Sequence, residues 1–366
     1  MTSTAKTIAI LTLLSLSAFP LVSSDSTRVS YIQFSTEVGG TWAHDVRLKS
    51  IINNPINGYS FGIGKQVNGS KPWHKAYGYP TVGFDLNFYN FGNGKIIGYS
   101  IGISPYITFP IYRHNNYNLN FRVSPGLNIM TRTYHTTTNP TNIAISSPIN
   151  ALVILGIENT IPVSERLDLF WGVNMVHISN ATIKKPNAGL NSSTFYLGLR
   201  LKNSNELSEI SSPYINKFQR SSNFNIFTGL AVKEIKEPGG KKHTVAFISS
   251  EYQYAISPYT SIGGSVDAYY DDSNRIIAEE IGLDYSNKSK LLKMGMAINA
   301  ELKLQRLSLI GHLGIYGYNK INEGRIIYQR LGLRYRVAPR LSIHLGLKTH
   351  LNVADHFESG IVIKLY

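Results

Sequence analysis

An apolar residue at every second position constrains this chain more than any other feature. Val82, Phe84, Leu86 and Phe88 alternate with Gly83, Asp85, Asn87 and Tyr89. Leu119, Phe121 and Val123 alternate with Asn118, Asn120, Arg122 and Ser124. The pattern returns with Phe195, Leu197, Leu199 and Leu201 against Tyr196, Gly198 and Arg200, and with Ile343, Leu345 and Leu347 against His344, Gly346 and Lys348. Period two is the signature of a β-strand, whose successive side chains point to opposite faces. The polar set contains Asp, Asn, Arg and Gly. Such alternation fits a soluble antiparallel sheet, or a transmembrane barrel that turns its polar face inward.

Several features favour the barrel. The N-terminus reads as an export signal: Lys6 supplies a positive charge, Ile8 to Phe19 form a short apolar run, and Val22-Ser23-Ser24 suits cleavage near Ser24. The run is too short for a spanning helix, which needs about 20 apolar residues. Strands of about 9–14 residues recur between turns, long enough to cross a bilayer. The 23 tyrosines suit aromatic girdles at the two membrane interfaces. The chain ends "SGIVIKLY", which resembles the C-terminal strand of bacterial outer-membrane barrels. A closed barrel leaves no backbone group unpaired in lipid, so nearly the whole mature chain has to be strand.

Composition narrows the chemistry. With no cysteine there is no disulfide framework, thiolate metal site or cysteine nucleophile. Lys and Arg number 36 against 22 Asp and Glu, but they stand singly along the alternating segments. Nucleic-acid binders show basic runs or a basic helix instead, so no nucleic-acid partner is expected. Attraction to an anionic membrane surface fits the scattered charge better.

Turn signals divide the chain. Asn93-Gly94 reads as a hairpin turn, and "RHNNYN" at 113–118 and "VSER" at 163–166 as short turns. A polar loop covers 133–148, and a strandless stretch at 201–223 separates two halves of about eight strands each. The fold class is therefore an all-β, antiparallel transmembrane barrel of about 16 strands, as one large barrel or two eight-stranded halves. The expected divisions are a signal peptide at 1–24, a barrel region carrying the candidate site at 25–202, and a second strand region at 203–366 that completes or adjoins it. "ERLDLFWGVNMVH" at 165–177 is similar to "PRLSIHLGLKTHL" at 339–351, which leaves a duplication open.

Parity along one strand singles out a candidate site. From Leu169, one face carries Trp171, Val173, Met175, His177 and Ser179; the other carries Asp168, Phe170, Gly172, Asn174 and Val176. His177 and Ser179 thus end an apolar, lipid-facing stripe, where a polar pair is costly without a purpose or a headgroup-level location. Residues two apart on a strand point the same way, about 6.6 Å apart. An imidazole and a hydroxyl can converge across that gap, and a neutral ring can take the serine proton. A third group must hold the ring's tautomer, and backbone N–H groups after the serine can stabilise an oxyanion. In the second half, Leu351 and Val353 stand at the corresponding positions, so the pair is not duplicated.

"HISNA" at 177–181, followed by "KKPNAGLN" at 184–191, resembles the lipid A 3-O-deacylase family (PagL-like, also called acyloxyacyl hydrolase-like). The likeness covers mainly 30–202; "WHKAYGYPTVGFDLNFY" at 73–89 and "NPTNIAISSPIN" at 139–150 are consistent with it. It implies an outer-membrane serine esterase with its active site on the lipid-facing wall. By this resemblance, His177 matches the general base, Ser179 the nucleophile, and Asn180 and Ala181 the oxyanion segment. The family's third triad member is a Glu that falls at Asn191. An Asn can orient the ring without supplying negative charge; the alternatives are another carboxylate or an inactive protein.

The implied function is removal of the ester-linked 3-hydroxyacyl chain from position 3 of lipid A. The implied substrate is lipid A or lipopolysaccharide in the outer membrane of a bacterium, and no metal or organic cofactor is implied. Lys184 and Lys185 are candidates for attracting lipid A phosphates, with two solvated turn lysines as the plainer reading. "HLNVADHFESG" at 350–360 comes nearest to a metal-ligand cluster and reads instead as a loop before the last strand. A porin or surface-binding barrel without activity is the rival. The sequence leaves open whether copies associate as a homo-oligomer.

Overall fold

The computed structural model describes residues 30–43, 46–203, 218–235, 238–321, 325–351 and 353–366. The expected signal segment, 1–24, lies outside the described residues, as does part of the stretch between the halves. Alternation becomes strand wherever it was read. The first eight strands are β1 (Ser30–Thr41), β2 (Ile56–Gln66), β3 (Thr81–Asn90), β4 (Tyr99–His114), β5 (Tyr117–Met130), β6 (Ile149–Pro162), β7 (Leu167–Ser179) and β8 (Leu190–Lys202). They pair in chain order and close through β1 and β8, with Phe34 opposite Leu199. The next eight are β9 (Ser222–Glu234), β10 (Lys242–Ala255), β11 (Thr260–Asp271), β12 (Leu292–Leu304), β13 (Leu307–Asn319), β14 (Ile327–Ala338), β15 (Leu341–His350) and β16 (Val353–Lys364). They close separately through β9 and β16. Of the two architectures, the chain adopts two eight-stranded barrels.

Each barrel is apolar outside and polar within. On β1, Ile32, Phe34 and Val38 are exposed, while Gln33, Ser35 and Glu37 are buried. Eight strands leave an interior just wide enough for side chains, and ion pairs fill it. In the first barrel Arg200 meets Glu158 at 2.9 Å, and Arg122 pairs with Asp85. In the second, Arg334 meets Glu251 at 2.6 Å and Arg330 meets Glu358 at 3.0 Å. This packing leaves no place for the wide water-filled channel of a large porin.

Three sequence expectations change. Many tyrosines fill the lumens instead of forming girdles: Tyr31, Tyr89, Tyr106, Tyr196, Tyr269, Tyr316 and Tyr328 are all buried. A narrow polar interior favours a large ring that ends in a hydroxyl, and Tyr31 and Tyr106 hydrogen-bond each other at 2.8 Å. Asn93-Gly94 lies inside a wider loop between β3 and β4, where Asn93 Oδ1 caps the N–H of Ile96 at 3.1 Å. Most of 350–360 belongs to β16 itself, with Asp355, His356 and Glu358 buried in the lumen.

The longer connections of the first barrel gather at one end. There α1 (Val46–Ile51) and the loops pack Leu48, Ile51, Phe91, Ile97, Ala144 and Ile145 over the lumen, against Val176 and Ile178 of β7. This apolar cap fixes the inward residues of β7, and so the outward direction of the residues between them. A short helix, α2 (Pro72–Ala76), lies at the opposite end. There Tyr77 donates its hydroxyl to the Tyr259 carbonyl, and both rings join an apolar cluster with Leu304 and Leu309 of the second barrel. At the long-loop end, Glu234 N donates to Thr182 O at 2.7 Å. The barrels therefore stand side by side in the same sense, in contact at both ends. A third helix, α3 (Asn274–Glu280), follows β11.

Candidate active site

The outward face of β7 begins as lipid-facing wall and ends polar. Val173 and Met175 are exposed, as are Phe195 and Leu197 on the neighbouring β8. The next two outward residues are His177 and Ser179, at 9% and 1% exposure. Parity placed them correctly on the outer wall; what covers them is the loop 180–189.

Strand register brings the third residue in. β7 and β8 are antiparallel with His177 directly opposite Asn191, so both side chains project from the same face. His177 Nδ1 donates to Asn191 Oδ1 at 2.6 Å. An amide oxygen can only accept, so this contact selects the Nδ1–H tautomer and leaves Nε2 as the basic nitrogen. Asn191 therefore occupies the position on the ring that an orienting carboxylate would take. Its backbone is pinned as well, because Trp42 N donates to Asn191 O at 2.7 Å.

The chain turns sharply after the serine. Ala181 and Thr182 both have left-handed backbone, with φ of 49° and 61°, an uncommon conformation for residues with a Cβ. The turn points Ala181 N–H back at Ser179 Oγ, at 3.0 Å. Asn187 Nδ2 is the second donor to that oxygen, at 2.8 Å. A hydroxyl whose lone pairs are both engaged still has its own proton to give. Gly189, at φ 75°, lies over the pair: a Cβ there would sit 3.7 Å from Ser179 Cβ and 3.8 Å from His177 Cε1. Both side chains thus border this one backbone position, whose positive φ suits glycine.

The other sequence candidates separate. Asn180 N–H donates to Asn187 Oδ1 at 3.3 Å, while its side-chain amide donates to Ser146 Oγ at 3.1 Å and Lys184 O at 2.9 Å. It braces the loop and does not face the serine. Asn187 is the residue that sequence reasoning missed as a donor to Ser179; the Pro-Asn pair of the loop was its signal. The segment 139–150 does flank the site, since Ala188 N and Gly189 N donate to Ile143 O and Ala144 O, both at 3.0 Å. Lys184 is exposed, whereas Lys185 lines a cavity between the barrels.

The second barrel grips the far side of this loop. Thr182 Oγ1 donates to Asp355 O, Lys185 N donates to the Glu234 carboxylate, and Lys242 Nζ donates to Ile183 O.

The comparisons fall on both barrels. The family model described as lipid A 3-O-deacylase (PagL) matches residues 57–200, and the model described as acyloxyacyl hydrolase, C-terminal domain, matches residues 220–366. Each barrel thus resembles this deacylase family. At the level of this family the activity is deacylation of lipid A, and family and barrel together indicate an outer-membrane protein. Among solved structures, the outer-membrane enzyme PagL is similar at 19% identity and a TM-score of 0.33, over 45% of this chain and 97% of that one. Neisserial surface protein A is similar at 14% identity and a TM-score of 0.29, over 47% of this chain and 96% of the other. A mutant porin of Rh. blastica covers 92% of this chain and 99% of its own, at 8% identity and a TM-score of 0.18. No curated protein matches. Within the deacylase family match, 57–200, lie His177, Ser179, Asn187 and Asn191 together.

Proposed function

We propose that this chain is an outer-membrane serine esterase that removes the ester-linked 3-hydroxyacyl chain from position 3 of lipid A. The observation that carries the reading is the 2.6 Å contact from His177 Nδ1 to Asn191 Oδ1, beside a buried Ser179 on the outer barrel wall. An acylated sugar in the membrane has its ester at the junction of chain and headgroup. Val173, Met175 and Phe195 offer the acyl chain an apolar wall, and the ester then lies level with the polar end of β7.

In this reading Ser179 Oγ attacks the ester carbonyl and its proton passes to His177 Nε2. The imidazolium that forms is oriented by Asn191. Ala181 N–H, with Asn187 Nδ2, stabilises the developing oxyanion. Collapse of the tetrahedral intermediate breaks the bond to the sugar oxygen, which takes the proton from His177. Water, deprotonated by the same ring, then releases the 3-hydroxy fatty acid and restores Ser179. The sequence expectation pairs Asn180 with Ala181; this reading sets Asn187 beside Ala181, because both donate to Ser179 Oγ. Lys184 and Lys185 contribute positive charge toward the phosphates of the headgroup.

The test is the release of 3-hydroxy fatty acid from lipid A by the purified chain in detergent micelles. Native protein should release it and Ser179→Ala should not. Equal release by both would overturn Ser179 as nucleophile.

A further inference from the structure

A cavity of about 560 Å³ lies at the long-loop end, where the mouth of the second barrel's lumen meets the first barrel's loop from Thr182 to Ala188, a size typical of small-molecule sites. The first barrel contributes Arg47 of α1 and the loop from Thr182 to Ala188; the second contributes the ends of β9, β12, β13, β15 and β16. Asn187 belongs to its wall and also donates to Ser179 Oγ at 2.8 Å. The cavity thus begins one side chain away from the candidate nucleophile.

Its charge is strongly positive. Arg47, Lys185, Lys233, Lys293 and Arg325 line it, against the carboxylates of Glu234 and Asp355. Those carboxylates are engaged. Asp355 meets Lys233 at 3.0 Å and Lys348 at 2.8 Å, and Glu234 accepts from the backbone N–H of Lys185. Lys293 Nζ and Lys185 Nζ make no hydrogen bond or ion pair with any described residue. Burial, then the charges of Arg325 and Lys233, hold the Lys185 ammonium below the ordinary lysine range. Half-buried ammonium groups lining one cavity, near carboxylates that are already engaged elsewhere, are costly, and a bound anion offsets that cost.

We infer that the cavity binds a phosphate group carried on the sugar headgroup of the lipid substrate, held by Lys185 and Lys293, so that the second barrel recognises the substrate that the first barrel cleaves. The inference rests on the proposed esterase reading. A phosphomonoester supplies up to two negative charges and several acceptor oxygens, which suits ammonium groups arriving from two elements.

Binding without turnover tests it. Full-length Ser179→Ala chain in detergent is titrated with phosphorylated lipid A and with the same lipid stripped of phosphate. The phosphorylated lipid should bind about tenfold tighter or more, the scale of a charged hydrogen bond or two. Adding Lys185→Gln and Lys293→Gln together should abolish that preference, while Lys290→Gln, outside the cavity, should keep it. Unheated gel mobility and retained binding of the phosphate-free lipid identify folded variants. Equal affinity for the two lipids, or an undiminished preference in the double variant, would overturn the inference. Binding of inorganic phosphate that depends on Lys185 and Lys293, together with equal affinity for the two lipids, would assign the cavity to free phosphate and overturn the headgroup. A preserved preference without hydrolysis by the native chain would instead remove the esterase reading alone.

Discussion

Glu234 holds the loop of Thr182 from both sides: its backbone N–H donates to the Thr182 carbonyl at 2.7 Å, and its carboxylate accepts from the N–H of Lys185. Glu234 ends β9 of the second barrel, whereas Thr182 follows the candidate nucleophile of the first. The left-handed turn at Ala181 and Thr182 is thus braced by a separate barrel. Strained backbone persists only where its surroundings fix it, and these bonds do so.

Removing the carboxylate should loosen the turn without touching the reacting atoms. Glu234→Ala is expected to lower kcat for fatty-acid release by about tenfold, because small displacements of positioned groups are costly. Glu234→Gln keeps an acceptor and should retain most of the rate. Steady-state kinetics of both variants in detergent check this; equal rates for Glu234→Ala and the native chain would show that the brace is unnecessary.

Asn191 should act through the ring it orients. Asn191→Ala is expected to slow hydrolysis by about tenfold or more. Asn191→Glu should retain or raise activity, since a carboxylate accepts from Nδ1–H and also stabilises the imidazolium. Asn191 Nδ2 is buried and makes no hydrogen bond among the described residues, so the exchange costs no existing contact there. Identical rates for all three proteins would remove the residue from the mechanism.

Asn187 should matter more than Asn180 to the chemical step. Loss of one oxyanion donor costs about 10²–10³ in kcat, which is the expectation for Asn187→Ala. Asn180→Ala removes only the brace to Ser146 and Lys184 and should lower kcat less. Pre-steady-state release of fatty acid measures both, and the reverse order would return the oxyanion role to Asn180.

The sequence exposed the parts of this account that depend on alternation. Parity assigned Leu199, Val173 and Met175 to the outer wall, and His177 and Ser179 with them, because a strand leaves each side chain only two directions. It did not decide between one barrel and two. Closure depends on which edges pair, and β8 pairs with β1 and not with β9; no local pattern encodes that choice. The lumen tyrosines were misread for a similar reason, since a ring suits a headgroup layer and a narrow polar interior equally well. Asn187 and Glu234 stayed hidden because their contacts arise from a loop fold and from a barrel 49 residues away in sequence from Lys185.

The central claim is that Ser179 removes the acyl chain at position 3. Tandem mass spectrometry of lipid A from cells bearing the substrate, expressing the native chain or Ser179→Ala, tests it most directly. The account predicts loss of one 3-hydroxyacyl chain, assigned to position 3, with the native chain and unaltered lipid A with Ser179→Ala. Loss that persists with Ser179→Ala, loss from another position, or no loss with the native chain would contradict it.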